Sequence, residues 1–345
     1  MNNNVETVVA ELLGEVECRL AEATQAPSPF LADAARHVTL AGGKRFRPLL
    51  VILAALLAGA DERRTDVLTV LPTPEIGMCG TGLLTADVRK RVVAASAVVE
   101  LTHVASLYHD DVMDEATLRR GVMSANLHYG NTAAILVGDF LFAQASIIGA
   151  DLGSEFVALQ AATFAQLVQG QIAETRGPTL GEDPLLHYRQ VVANKTASLI
   201  RTSILFGGMI AGLPEPQLAA LERFGEKIGT AFQLADDLID ITSDVAGKDS
   251  GLDLRVGLAT LPVLLLRESD NPADHALYAK VLQGLSLDET ESVVAALRTH
   301  PVIAQARAQI VELAESARAE LHNLAQCAAR DQLCRLCDEA VNRMH

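Results

Sequence analysis

Apolar positions recur every three to four residues along most of this 345-residue chain, the spacing of helices that bury one face. Strict alternation of apolar and polar residues is nearly absent. The β-branched residues lie inside long Ala- and Leu-rich segments instead. The pattern predicts helices over 5–23, 28–41, 46–59, 86–114, 131–150, 154–175, 184–211, 215–243, 258–269, 273–284, 288–298 and 302–344. Breakers separate them: AGGKRF, RGVMS, RGPTLGEDP, AGLPEPQ, VAGKDSGLD and ESDNPAD. No stretch reads as an interdomain linker, so an all-α chain forming one large domain over 1–345 is expected. The segment 61–85, with two prolines, three glycines and no sustained helical period, is expected to be a loop insertion between core helices.

Half of the residues are apolar, ample for a large core. The formal charge of −15, with no basic stripe, argues against a nucleic-acid partner. The N-terminal stretch MNNNVETVVAELLGEVECRL lacks the basic region and the small-residue cleavage site of a signal peptide. The longest nearly uninterrupted apolar run, 48–60, is too short to span a bilayer, and TAAILVGDFLFAQASIIGA is broken by Asp139. No transmembrane segment and a cytoplasmic location are therefore expected. The cysteines, at 18, 79, 327, 334 and 337, are odd in number and suggest no disulfide framework. Cys334 and Cys337 form a lone CxxC without a second pair, so with Cys327 they are expected to pack along one side of a C-terminal helix.

Charge clusters at two places. YHDDVMDEATLRRG places Asp110, Asp111 and Asp114 at the end of an apolar helix pattern, and QLADDLIDI repeats the spacing with Asp236, Asp237 and Asp240. In a helix, positions i and i+4 share a face, so each motif aims its outer carboxylates at one point. Carboxylates converging there would repel and resist desolvation unless cations were present. Hard oxygen donors with few histidines favour Mg²⁺, which keeps several waters and completes its shell with substrate phosphates. Bases complement the acids. GGKRFRP brings Lys44, Arg45 and Arg47 between helices, and Arg119 and Arg120 follow the first motif. Guanidinium forks match phosphate oxygens, whereas Lys44 acts as a point charge. His103, seven residues before Asp110, shares its helical face, and the adjacent His109 could orient the acids.

With these motifs on view, the chain resembles the trans-polyprenyl diphosphate synthases over nearly its whole length. GGKRFRPLL, ELTHVASLYHDDVMDEATLRRG, GNTAAILVGDFLFAQA, NKTASLI, FQLADDLIDI and DLRVGLATLP occur in that family's order. The resemblance implies an all-helical isoprenoid-synthase bundle around a central cavity, a homodimer, and a prenyltransferase that adds isopentenyl diphosphate to an allylic prenyl diphosphate. It implies two or three Mg²⁺ ions on Asp110, Asp114 and Asp236, with Asp111, Asp237 and Asp240 in support. By the same resemblance, Lys44, Arg47, His103 and Arg120 bind isopentenyl diphosphate, while Arg119 and Lys195 hold the allylic diphosphate. Thr196 and Gln233 place oxygen dipoles near the developing cation, and the released diphosphate serves as proton acceptor. Leu258 stands where many members carry lysine; Lys248 or Arg255 in the same loop could substitute.

Five residues along a helix is roughly 7 Å, so the positions before Asp110 face the tail of a growing product. Ala105 and Ser106 are small there, with Thr102 and Val98 below, which predicts an open path and a product of six or more isoprene units. Phe140 and Phe142 could close that path lower down. Release of such a product would bring peripheral membrane contact without a spanning segment. The alternatives are a short-chain farnesyl or geranylgeranyl synthase, a class I terpene cyclase, which would not need GGKRFRP, and a noncatalytic subunit of a two-component synthase, which tends to lose aspartates.

Overall fold

A computed structural model describes residues 2–57, 84–243 and 251–344. Most of the 61–85 segment, Cys79 and Lys248 lie outside the described residues. The chain groups into two compact units: Met1–Ala165 with Leu199–Glu222 and His322–Leu333, and Gln166–Ser198 with Arg223–Leu321 and Cys334–His345.

Helices α1 (Asn2–Ala23), α2 (Pro29–Thr39), α3 (Phe46–Ala55), α4 (Ala86–Met113), α5 (Ala125–Tyr129) and α6 (Asn131–Ala150) belong to the first unit. α4 is its axis and packs against α6, α3 and α1. Val92, Ala95, Val98, Leu101, Val104, Ala105 and Tyr108 are buried along it. The Tyr108 hydroxyl donates to Ala34 O at 2.5 Å and accepts from Val38 N–H at 3.1 Å, which ties α4 to α2 without leaving a buried polar atom unpaired. Ser28 caps α2 and Pro29 occupies its first position, a pre-organised helix start.

The chain continues through α7 (Ser154–Arg176), α8 (Pro184–Val192), a π-turn over Ala193–Ala197, α9 (Ser198–Ile210) and α10 (Glu215–Thr242). Then come α11 (Leu252–Arg255), α12 (Leu261–Arg267), α13 (Pro272–Val281), α14 (Leu287–Arg298), α15 (Pro301–Glu320) and α16 (Ala328–Asn342). In the second unit α12 packs on α13, α15 and α8, and α14 on α11 and α15. Leu238, Ile241, Leu264, Leu266, Val281, Leu297, Ile303 and Ile310 form its core.

Four local predictions need correcting. The stretch 302–344 is two helices, because a 3₁₀ turn over Leu321–Asn323 ends α15 and the Arg330 side chain donates to Leu324 O to stabilise the exit. No glycine or proline marks that stop. Cys327 consequently precedes α16 and only Cys334 and Cys337 lie on it; none of the four described cysteines forms a disulfide. The stretch 184–211 is interrupted by the π-turn, closed by a bond from Ser198 N–H to Ala193 O. The stretch 258–269 contracts to α12, preceded by the short α11. A small hairpin also forms, Leu118–Arg119 (β1) against Val122–Met123 (β2), with Arg119 opposite Val122.

Among the described residues two helices, α4 and α6, are long and apolar enough to cross a membrane, against the expectation that Asp139 would disqualify the second. α4 is mostly buried within its unit, whereas Ile135, Leu136 and Ile147 leave an apolar face of α6 exposed.

Candidate active site

In the first unit the chemistry is organised on one face of α4. Glu100 is buried at 2% exposure and accepts from Arg45 Nη1 at 2.7 Å and Arg120 Nη2 at 2.9 Å. Both arginines adopt left-handed backbone conformations, φ 48° and 52°, unusual for residues with a side chain. Arg45 also binds Glu17 through Nε and Nη2, and Thr39 O through Nη2. Arg120 occupies the turn of the β1–β2 hairpin with Gly121 at φ 80°, the pair of positive φ values that a two-residue turn of this hand requires. Gly43 lies against that guanidinium: a Cβ on Gly43 would stand 3.3 Å from Arg120 Cζ.

His103 lies one turn beyond Glu100. Burial pushes its pKa well down, and Arg47, Arg120, Arg119 and Arg45 push it further, so the imidazole is held neutral. Arg47 is itself lowered to about 10, first by burial, with Glu100 opposing and Arg120 reinforcing the drop. Its buried Nε has no hydrogen-bond partner. Lys44 is exposed beside it. This is a guanidinium cluster with donors to spare, the composition that suits a phosphate group.

At the end of α4, Asp111 is fully buried and one of its oxygens accepts from Arg119 Nε and Nη2, each at 2.6 Å. Burial nonetheless raises its pKa, and Asp114 adds to the rise. Its other oxygen, Oδ2, is buried without a partner. Asp110 is half-buried, and Asp114 is exposed at the C-cap with its N–H on Asp110 O at 2.8 Å. His109 is engaged elsewhere: its Nε2 meets Ile135 O at 3.1 Å and Asp139 at 3.5 Å, and its ring lies where a side chain on Gly138 would be. Ala105 is fully buried, while Ser106 is half-buried and donates to His103 O. Below them Thr102 accepts from Gln160 Nε2 at 3.3 Å, and the Phe142 and Phe164 rings lie in tilted contact, 4.0 Å between centroids.

In the second unit the π-turn carries Lys195 and Thr196. α7 approaches it so closely that a Cβ on Gly170 would come within 2.6 Å of Lys195 N. Such turns commonly mark functional positions. Lys195 forms a short ion pair with Glu174. Thr196 Oγ1 donates to Gln233 Oε1 at 2.8 Å, Gln233 Nε2 donates to Asp237 Oδ1 at 2.8 Å, and the Tyr188 hydroxyl donates to Asp237 Oδ2. Asp237 is buried and raised to about 6, chiefly by desolvation. Asp240 accepts from the backbone N–H groups of Gly251, Leu252 and Asp253, which fixes the start of α11, and its Oδ2 remains buried without a partner. Asp236 is held by Arg343 Nη2 at 2.6 Å, and that guanidinium stacks over the Phe232 ring.

The sequence reading missed Glu100, Tyr188, Arg343 and Asp253. Asp253 is raised to about 7 by burial and then by Asp237, Asp240 and Glu174, against which Lys195 is the opposing charge. Its signal was available, since DLRVGLATLP contains it, but one aspartate in a loop has no spacing to single it out. Leu258 is half-buried with its N–H on Asp253 O at 2.9 Å, and Arg255 is near enough to lower the pKa of Asp240. Among the described residues no three His, Cys, Asp or Glu side chains gather tightly enough to hold an ion alone. Each unit by itself offers oxygen to a hard divalent cation that takes its remaining ligands from water and substrate: the unpaired Oδ2 of Asp111 in the first, and in the second the unpaired Oδ2 of Asp240 beside the mutual repulsion around Asp253.

The polyprenyl synthetase family model matches residues 28–299, most of the chain. The chain belongs to the polyprenyl synthetase family. It is accordingly a trans-prenyltransferase with the family's all-helical fold. This synthetase is 41% identical over 317 residues to the nonaprenyl diphosphate synthase of Mycobacterium tuberculosis, covering 91% of this chain and 87% of that one. Its fold matches the decaprenyl diphosphate synthase of Rhodobacter capsulatus with a TM-score of 0.83 at 29% identity, over the full length of both. It also matches the geranylgeranyl pyrophosphate synthase of Corynebacterium glutamicum, solved with calcium and isoprenyl diphosphate. There the TM-score is 0.79 at 36% identity, over 98% and 97% of the two chains.

Proposed function

We propose that this synthetase extends an allylic prenyl diphosphate by head-to-tail addition of isopentenyl diphosphate, with Mg²⁺, to an all-trans product of six or more isoprene units. The observation that carries this is Arg47: its buried Nε, without a protein partner and beside a neutral His103, is a charged donor suited to a phosphate oxygen. Arg47, His103, Lys44 and Arg120 would take the isopentenyl diphosphate. Arg119 and Lys195 would take the allylic diphosphate, exchanging their present carboxylate partners for phosphate oxygens. Asp110, Asp114 and Asp236 would hold Mg²⁺, with Asp111, Asp237 and Asp240 fixed behind them. Bound there, Mg²⁺ would offset the negative charge that grows on the departing diphosphate. Thr196 and Gln233 would turn oxygen lone pairs towards the allylic cation.

Product length rests on Ser106 and Ala105 being small and on the nonaprenyl and decaprenyl synthases the chain resembles. The paired Phe142 and Phe164 rings, together with the geranylgeranyl synthase, favour a shorter product as the second reading. A homodimer accounts for Ile135, Leu136 and Ile147 standing exposed on α6. A cytoplasmic enzyme touching the membrane peripherally would suit a water-insoluble product.

The test is to incubate the protein with Mg²⁺, labelled isopentenyl diphosphate and, separately, geranyl, farnesyl or geranylgeranyl diphosphate, and to size the products. A ladder ending at six or more units is expected. Products of three or four units would overturn the chain length but keep the chemistry. No product with any starter would point to a subunit that needs a partner.

A further inference from the structure

We propose that Tyr188 is a positioning residue that fixes the polarity of the Gln233–Thr196 pair through Asp237. The inference rests on the prenyl transfer proposed above.

The chain of donors begins at α12. Leu261 is its first residue, and the N-cap Thr260 supplies no side-chain cap, so the Leu261 amide is one of the donors a helix start leaves over. That amide points to the Tyr188 phenol oxygen. With a lone pair so occupied, the buried phenol directs its own proton to Asp237 Oδ2. Asp237 Oδ1 takes the Gln233 amide at 2.8 Å. An ionised carboxylate only accepts, so the NH₂ of Gln233 must face Asp237 and its Oε1 must face Thr196. Oε1 then captures the Thr196 hydroxyl proton at 2.8 Å. Thr196 Oγ1 is left with lone pairs alone to offer, the correct sign of dipole beside a carbocation. Each bond fixes the next. Without the phenol proton, Asp237 loses the partner that holds its plane, Gln233 is free to turn, and Thr196 can present its proton instead.

Tyr188→Phe keeps the buried ring and removes only the hydroxyl. Its kcat is expected to fall about tenfold or more, on the scale seen when a single charge-stabilising group is lost. KM for both diphosphates and the Mg²⁺ concentration at half-maximal rate should stay within about twofold. If Tyr188 acts through Gln233, Tyr188→Phe should add nothing to the loss in Gln233→Met, since residues in one network are not additive. Replacing Tyr188 by 4-aminophenylalanine, which keeps a donor at that position, should restore most of kcat. Asp237→Asn serves as a second variant that does not depend on the folding of Tyr188→Phe. Its carboxamide would force Gln233 to turn over, and kcat should fall at saturating Mg²⁺. An unaltered kcat in either variant, losses that multiply between Tyr188→Phe and Gln233→Met, or a shifted Mg²⁺ dependence in Tyr188→Phe would each overturn the inference. An inactive wild type would instead overturn the prenyl transfer on which it rests.

Discussion

Glu100 is where the positive half of the first unit is tied down. Two arginines give up ordinary backbone conformations to reach it, each a strain of order 1–3 kcal/mol that the buried ion pairs must offset. Arg47, next to this knot, keeps its Nε unpaired. Arg47→Gln is therefore expected to raise KM for isopentenyl diphosphate by roughly 10- to 100-fold, the loss of one or two charged hydrogen bonds. Its thermal unfolding should change little, and steady-state kinetics with the allylic substrate saturating would check both. Asp253 makes the complementary prediction for the acidic cluster. Its folded pKa, about 7, lies above the ordinary carboxylate value near 4, so the folded protein holds a proton that the unfolded chain releases. The stabilising effect of that proton is complete below about pH 4 and is lost as pH rises to about 7. In chelator, the melting temperature should fall by several degrees across that window through this group. Asp253→Asn should flatten the fall, and calorimetry at stepped pH would read it. These residue-scale features were only partly legible. The arginines stood out as GGKRFRP and RRG, but Glu100, inside an apolar run, looks like one more helical position until Arg45 and Arg120 are seen to meet on it.

Among the elements, α4 was legible almost to the residue, because Thr85 caps it and Asp114 ends it. The turn at 251–257 was not. Asp240, one of the six motif aspartates, gathers three backbone amides there and anchors α11. Gly251 makes this possible at φ 72°, with Thr290 and Val294 methyls 2.8 Å from where a Cβ would be. Gly251→Ala is expected to cost about 2 kcal/mol from backbone strain alone, and more from the clash. The loss should appear in chemical denaturation together with lower activity. For product length, α4 offers two positions of different character. Ala105 is sealed by packing, so Ala105→Phe should destabilise the unit. Ser106 is half-buried, so Ser106→Phe should leave the melting temperature nearly unchanged and shorten the product by two or more isoprene units, read by chromatography of the hydrolysed prenols. At the other end, α16 brings Arg343 to Asp236, a pairing no sequence period could announce across more than 100 residues.

At the scale of the molecule, the exposed face of α6 is the feature a lone chain does not explain. Exposed apolar residues on one helix suit a partner surface, and the proposed homodimer, if formed through them, should dissociate when Leu136 and Ile147 are both replaced by Asp. Sedimentation velocity is expected to show monomer for the double variant and dimer for the wild type. The all-helical fold follows from periodicity, since a 3.6-residue apolar repeat buries its surface as a helix. The sequence by itself determined the two aspartate motifs and their basic flanks too, because i and i+4 share a helical face whatever the tertiary context. Tertiary structure alone decided how the charges are shared: Arg119 on Asp111, Arg343 on Asp236, two arginines on Glu100, and Tyr188 with Gln233 on Asp237. It also decided the π-turn at Lys195, the break at Leu321 and the raised pKa of Asp253. Periodicity fixes which way a side chain faces. Only the packing of distant segments fixes which charge it finds there and how much water remains between them.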